Sequence, residues 1–157
     1  MTIYYVDQAN PAGQDSPEYG HRDRPWKRLE YALLQLRAGD TLLVRPGLYQ
    51  PGPITLTAAH SGRDQAPITV KVDRADEADA VILAGADSIL FAGASWWVVD
   101  GFVFQEFSQP MLRFGRKGTV ASQIQIRNST FRDAKTRPIV LAYAQDILIE
   151  NNQFLRI

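Results

Sequence analysis

Two stretches decide how this chain folds: Ile124-Gln125-Ile126-Arg127-Asn128-Ser129-Thr130-Phe131 and, one repeat later, Ile147-Leu148-Ile149-Glu150-Asn151-Asn152-Gln153-Phe154. Each runs through the same series: two aliphatic residues spaced by two, a charge, an asparagine and then a phenylalanine. Upstream, the aliphatic pair recurs as Trp97-Val99, Val70-Val72 and Leu42-Val44, at steps of 23 to 28 residues. Period two marks short half-buried strands, and self-similarity at 20–50 residues marks stacked repeats.

Two further series interleave with the first in fixed order. One is Tyr49, Ile82, Phe104, Phe131 and Phe154. The other is Ile54-Leu56, Ile89-Phe91, Leu112-Phe114 and Ile139-Leu141. A meander has no reason to cycle through three strand classes, whereas a coil with three short sides does. Each coil then contributes one strand to each of three parallel sheets, and equivalent residues stack about 4.8 Å apart. The reading predicts an aliphatic column Val44, Val72, Val99, Ile126 and Ile149, and an aromatic stack Phe104, Phe131 and Phe154. Asn128 and Asn151 fall at one corner, with Gly101 on the rung above, as suits residues that tolerate left-handed backbone. The expected fold is therefore all-β: a right-handed parallel β-helix, a three-sheet solenoid of about four to five coils, forming one domain over residues 1–157. Residues 1–40 form an N-terminal cap. Its helix is expected at about 25–37, on the helical spacing of Trp26, Leu29, Ala32, Leu33 and Leu36.

Seventeen basic residues balance seventeen acidic ones, so no net field draws the chain to nucleic acid or an anionic membrane. The apolar runs are too short to span a bilayer. The chain has no cysteine, which removes disulfides, thiolate metal sites and cysteine nucleophiles. Met1-Thr2-Ile3-Tyr4-Tyr5-Val6-Asp7 has neither the basic start nor the apolar core of a secretory leader, which leaves a cytoplasmic chain or one whose leader has been removed. No P-loop, dinucleotide fingerprint or G-x-S-x-G elbow occurs.

Tyr4-Tyr5-Val6-Asp7, Pro25-Trp26-Lys27, Ala38-Gly39-Asp40-Thr41, Arg45-Pro46-Gly47-Leu48-Tyr49, Ala66-Pro67-Ile68-Thr69-Val70 and Val99-Asp100-Gly101 together form a recognisable pattern. It resembles the N-terminal part of right-handed β-helix proteins of the pectate-lyase-like superfamily. The similarity is greatest to family 9 pectate lyases and the chondroitinase B and alginate lyase group. It runs from about residue 3 to the end, and it implies the fold and the capping helix more specifically than any activity. The enzymes it resembles usually have many more coils, and their catalytic and metal-binding residues do not map onto this sequence.

In enzymes of this type, substrate lies across the outer face of the first strand series. The alternation puts Arg45, Asp73, Asp100, Arg127 and Glu150 at one outward position there, with Lys71, Val98, Gln125 and Leu148 beside them. On this reading Asp73 and Asp100 stand on adjacent rungs, and like charges that close need a proton, a cation or an arginine between them. Asp73 and Asp100 are thus candidate Ca²⁺ ligands. Such an ion would bridge to a uronate and acidify its C5 proton. Lys71 and Arg127 are the candidate catalytic groups. Arginine holds its proton too tightly to be the better base, so that role falls to Lys71. The competing reading is an exposed ladder of salt bridges, Arg45–Asp73 and Asp100–Arg127–Glu150. Trp96, Arg45 and Gln125 are the candidate substrate-binding residues, with Trp96 either a sugar platform or a cover for a sheet edge. His21 and His60 are expected to be exposed loop residues. Asp73, Asp76, Glu77 and Asp79 form an acidic run with the character of a solvated loop.

Three functional readings follow. The first is a carbohydrate-associated protein acting on or binding acidic polysaccharide, in the manner of a polysaccharide lyase or a glycoside hydrolase. The second is a non-catalytic binding or self-assembling module. The third is an N-terminal part of a larger enzyme. A solenoid left open at Ile157 is expected to form a homo-oligomer through that end.

Overall fold

The computed structural model describes residues 1–75, 80–85 and 87–157. Strand β1 (Ile3–Val6) and helix α1 (Leu29–Gln35) precede the first turn, which is β2 (Thr41–Val44), β3 (Gly47–Tyr49) and β4 (Ile54–Thr57). The second is β5 (Ile68–Val72), β6 (Val81–Ala84) and β7 (Ile89–Ala92). The third is β8 (Ser95–Asp100), β9 (Val103–Gln105) and β10 (Leu112–Phe114), and the fourth is β11 (Ala121–Arg127), β12 (Thr130–Arg132) and β13 (Ile139–Leu141). Then come β14 (Ala144–Glu150) and β15 (Gln153–Leu155). Every strand pairs in parallel with its counterpart one turn away, giving sheets β1-β2-β5-β8-β11-β14, β3-β6-β9-β12-β15 and β4-β7-β10-β13. The chain is a three-sheet parallel β-helix.

The corners explain why the sequence can turn so sharply. Gly101, Asn128 and Asn151 all have φ between 52° and 89°, at the bend after the first sheet. The Asn151 amide donates to Asn128 Oδ1 at 2.6 Å, and the Asn128 amide donates to Asp100 Oδ1 at 2.9 Å. The ladder thus ends on a carboxylate that takes the place of a third amide. Glu106, Asp133 and Arg156 form a second left-handed column, with φ of 50–55°.

Stacked side chains fill the interior. Phe104 and Phe131 stack 4.8 Å apart with nearly parallel rings, Phe131 and Phe154 lie 5.1 Å apart, and Phe91 stacks on Phe114 at 5.0 Å. The third sheet has the register expected from the sequence: Ile54–Ile89–Leu112–Ile139 and Leu56–Phe91–Phe114–Leu141. The other two sheets correct that reading. In the second sheet Tyr49 pairs with Leu83, not Ile82, because Val81 and Leu83 take the inward positions of β6. In the first sheet the column is Leu42–Val70–Val99–Ile126–Ile149, so Val72 lies two residues away from the position expected for it.

The capping helix is shorter than the spacing predicts. Trp26 is extended: its N–H donates to the Tyr5 carbonyl at 3.0 Å and its carbonyl accepts from Asp7 N–H at 2.8 Å. The segment therefore pairs with β1 and covers the edge of the first sheet, while the Trp26 ring stacks on Tyr4 at 4.8 Å. Leu29 and Leu33 of α1 plug the first turn and border an apolar interior void of about 30 Å³ with Leu56, Val70 and Leu83. A void that small with no polar wall stays dry.

A carboxylate from the preceding loop anchors the start of α1. Asp15 accepts from the N–H groups of Lys27 at 2.8 Å and Arg28 at 3.1 Å, and from Arg28 Nε at 2.7 Å. Burial alone would raise the Asp15 carboxyl, but these donors outweigh it and hold it below its ordinary 3.8. Asp15→Ala is expected to cost about 1–2 kcal/mol at neutral pH. Because the folded-state value is depressed, that contribution is present above 3.8 and is lost as pH falls through the lower value. Urea unfolding of both proteins from pH 7 to pH 3 should therefore show a gap that closes only at the acid end.

Among the described residues, no strand pairs with the outer edge of β13, β14 or β15. Leu141, Tyr143, Leu148, Phe154 and Leu155 are 41–52% exposed.

Candidate functional site

Three columns run across the outer face of the first sheet. One is Leu43–Lys71–Asp100–Arg127–Glu150, the next is Thr69–Val98–Gln125–Leu148, and the third is Trp96–Gln123–Asp146 at the strand starts. This register separates the two aspartates that the sequence placed side by side. Lys71, not Asp73, is the partner of Asp100, and Thr69 takes the place expected for Lys71. The cause is the two-residue offset between β5 and β8.

Each carboxylate has its own cation. Asp73 Oδ2 lies 3.0 Å from Arg45 Nη1, and Asp100 Oδ2 accepts from Arg127 Nε at 2.9 Å. The outer column therefore alternates in sign from Lys71 to Glu150, and the mutual repulsion that would have called for a calcium ion is relieved without one. These partly exposed pairs contribute about 0–1 kcal/mol each. Among the described residues no group of three or more His, Asp or Glu side chains converges as a metal cage would require. Asp76, Glu77 and Asp79 lie outside the described residues.

Lys71 and Asp100 border a depression of about 240 Å³ with Val72, Arg74, Gly101 and Asn128. Arg74 is engaged at one wall, donating to the Gly101 carbonyl at 2.7 Å. Arg45 lies outside this depression, and its guanidinium sits 5.6 Å from the Tyr5 ring centre.

Trp96 and Gln125 meet in a second, larger depression of about 470 Å³. Its other walls include Asp64, Gln65 and Pro67 from the loop before β5, Gln123 from β11, and Asp146 and Leu148 from β14. Gln123 Nε2 donates to Asp146 Oδ2 at 3.0 Å. Trp97 is buried (1% exposed), while Trp96 is half-buried at the surface. Trp96 has φ of 60°, an outlier for so bulky a residue, and Gln123 and Asp146 repeat it on the next two rungs at 55° and 53°.

The loop His60–Gly62 holds this conformation, a role that sequence reasoning missed. Ser61 Oγ accepts from Ser95 N–H at 3.0 Å, Gly62 N–H donates to the Ser95 carbonyl at 2.9 Å, and the Trp97 indole N–H donates to the His60 carbonyl at 2.7 Å. His60 is half-buried, which corrects the expectation of an exposed residue. Its Nδ1 accepts from Thr57 N–H at 3.1 Å, and burial next to Arg37 holds the imidazole below its ordinary 6.5. The one available sequence signal was Ser61-Gly62, a turn pair separated from its target by three strands. His21 is exposed.

A Cβ on Gly62 would collide with the Trp96 carbonyl oxygen, although Gly62 itself has an ordinary φ. Gly62→Ala should therefore cost about 1–3 kcal/mol in urea unfolding and shift the tryptophan emission. Gly52→Ala, where a Cβ meets nothing within 4 Å, should stay within about 0.5 kcal/mol of the parent.

No family model matches the chain. A stretch of 112 residues is 30% identical to an uncharacterized protein, YwoF, of Bacillus subtilis (strain 168); the match covers 71% of this chain and 19% of that one. The chain thus spans about a fifth of the length of the curated relative it matches. Among solved structures, a lacto-N-biosidase from Eubacterium ramulus aligns over 99% of this chain and 34% of its own, with a TM-score of 0.72 at 14% identity. A rhamnogalacturonan lyase aligns over 85% and 36%, with a TM-score of 0.61 at 19% identity. The pectate lyase Pel9A aligns over 98% and 46%, with a TM-score of 0.52 at 16% identity. The chain shares with these carbohydrate-active proteins the parallel β-helix fold.

Proposed function

We propose that this β-helix holds a polysaccharide across the outer face of its first sheet, with Trp96 as the stacking platform. The observation that carries the reading is the half-buried indole in a depression of about 470 Å³ whose polar wall includes three glutamines. An aromatic face takes the C–H face of a sugar ring, and amides supply both donors and acceptors for its hydroxyls. The volume falls within the roughly 300–1,000 Å³ of small-ligand clefts. The fold shared with a rhamnogalacturonan lyase, a pectate lyase and a lacto-N-biosidase supports the substrate class.

Binding is favoured over elimination chemistry by the pairing on the outer column. Arg45 and Arg127 are each tied to an aspartate, so neither stands ready for a uronate. Lys71, exposed beside Asp100, remains the residue on which a lyase reading would rest.

Trp96→Gly separates the platform from the scaffold, because glycine adopts positive φ without strain. Tryptophan fluorescence and calorimetric titration of the parent with a panel of oligosaccharides should identify a ligand. The variant should then bind it at least about tenfold more weakly, while unfolding within about 1 kcal/mol of the parent. Undiminished affinity in a folded variant would remove Trp96 from the site.

A further inference from the structure

We infer that the Trp96 depression accepts a neutral pyranose ring and rejects a uronate. This deepens the glycan-binding reading and rests on it. The charged residues bordering the depression are Asp64 and Asp146, and neither lysine nor arginine is among the described residues that line it. The remaining polar groups are the amides of Gln65, Gln123 and Gln125.

That set suits hydroxyl groups. A carboxylate is an acceptor only, and each sugar hydroxyl brings a proton to donate. Asp146 Oδ2 already accepts from Gln123, which orients the carboxylate and leaves its other oxygen for a ligand hydroxyl. Hydrogen bonds to ionised acceptors are about twice as strong as neutral ones, so two aspartates facing a diol give a strong polar anchor. Pro67, Val98 and Leu148 supply apolar surface beside the indole.

The same set opposes a uronate. Its carboxylate would approach two like charges in a partly enclosed site, where repulsion is screened less than in bulk water. Of the cations on this sheet face, Arg127 reaches the margin of the depression, its Nη1 donating to Gln125 Oε1 at 3.5 Å, but its charge is answered by Asp100 at 2.9 Å, while Lys71 and Arg74 border the other depression.

The test is a calorimetric titration of the 157-residue protein with neutral oligosaccharides (gluco-, galacto- and xylo-series) and with oligogalacturonate, in calcium and in chelator. The neutral ligand is expected to bind at least tenfold more tightly, with no dependence on calcium. The pair Asp64→Asn and Asp146→Asn keeps shape and tolerates the left-handed backbone at residue 146, so it should fold normally. It should weaken neutral binding and narrow the neutral-to-uronate ratio at least tenfold. A preference for oligogalacturonate, with calcium or without, would overturn this inference while leaving Trp96 as a glycan platform. Binding of no glycan at all would overturn both readings.

Discussion

Parallel in-register stacking is the constraint on which everything else in this molecule depends. A strand of three to seven residues cannot hold itself in place, so each rung is fixed by the ladder hydrogen bonds to the rung beside it. Once that ladder is set, a residue's chemistry is repeated or answered about 4.8 Å away. Inside, this produces the flat phenylalanine stacks and the aliphatic column. At the corners it produces runs of left-handed residues, each supported by the one on the next rung. Outside, it sets charge against charge, and selection of alternating signs along Lys71, Asp100, Arg127 and Glu150 is the low-energy answer.

The third sheet was legible residue by residue, because β4 and β10 each read as one apolar pair around a polar residue, Ile54-Thr55-Leu56 and Leu112-Arg113-Phe114, and so fix the positions that the unbroken runs of β7 and β13 leave open. The first sheet was legible only as a class. Ile68, Val70 and Val72 alternate over five residues, so a shift of two keeps every side chain on the same face and leaves the hydrophobic pattern unchanged. Only the partner across the ladder distinguishes the registers. A shift of one reverses the faces, but β6 reads Val81-Ile82-Leu83, and an unbroken apolar run does not say which residue is inward. Helix α1 was found but drawn too long, because Trp26 falls on the helical stripe while its backbone is committed to β1.

That two-residue offset changed the chemistry of the site more than it changed the fold. In one register two carboxylates face each other and demand a cation; in the other each faces an arginine and demands nothing. Four of the residues that sequence alone singled out, Arg45, Asp73, Asp100 and Arg127, thus stand in ion pairs with one another. Trp96 was identifiable as an outward indole, but its neighbours were not. Asp64 and Gln65 come from a loop one turn earlier, and the clamp at Ser61 and Gly62 acts through one hydroxyl and one backbone N–H on Ser95, a target that the sequence does not mark.

Strain argues in the same direction as position. A tryptophan at φ of 60° is held at a cost of about 1–3 kcal/mol relative to a glycine there. Other rungs meet the same geometric demand with Gln123 and Asp146, polar residues in place of an aromatic one. The solenoid needs a left-handed residue at this position but does not need an indole. What the indole adds is a broad apolar surface in a depression of about 470 Å³ lined also by amides and carboxylates, the combination on which the proposed sugar platform rests.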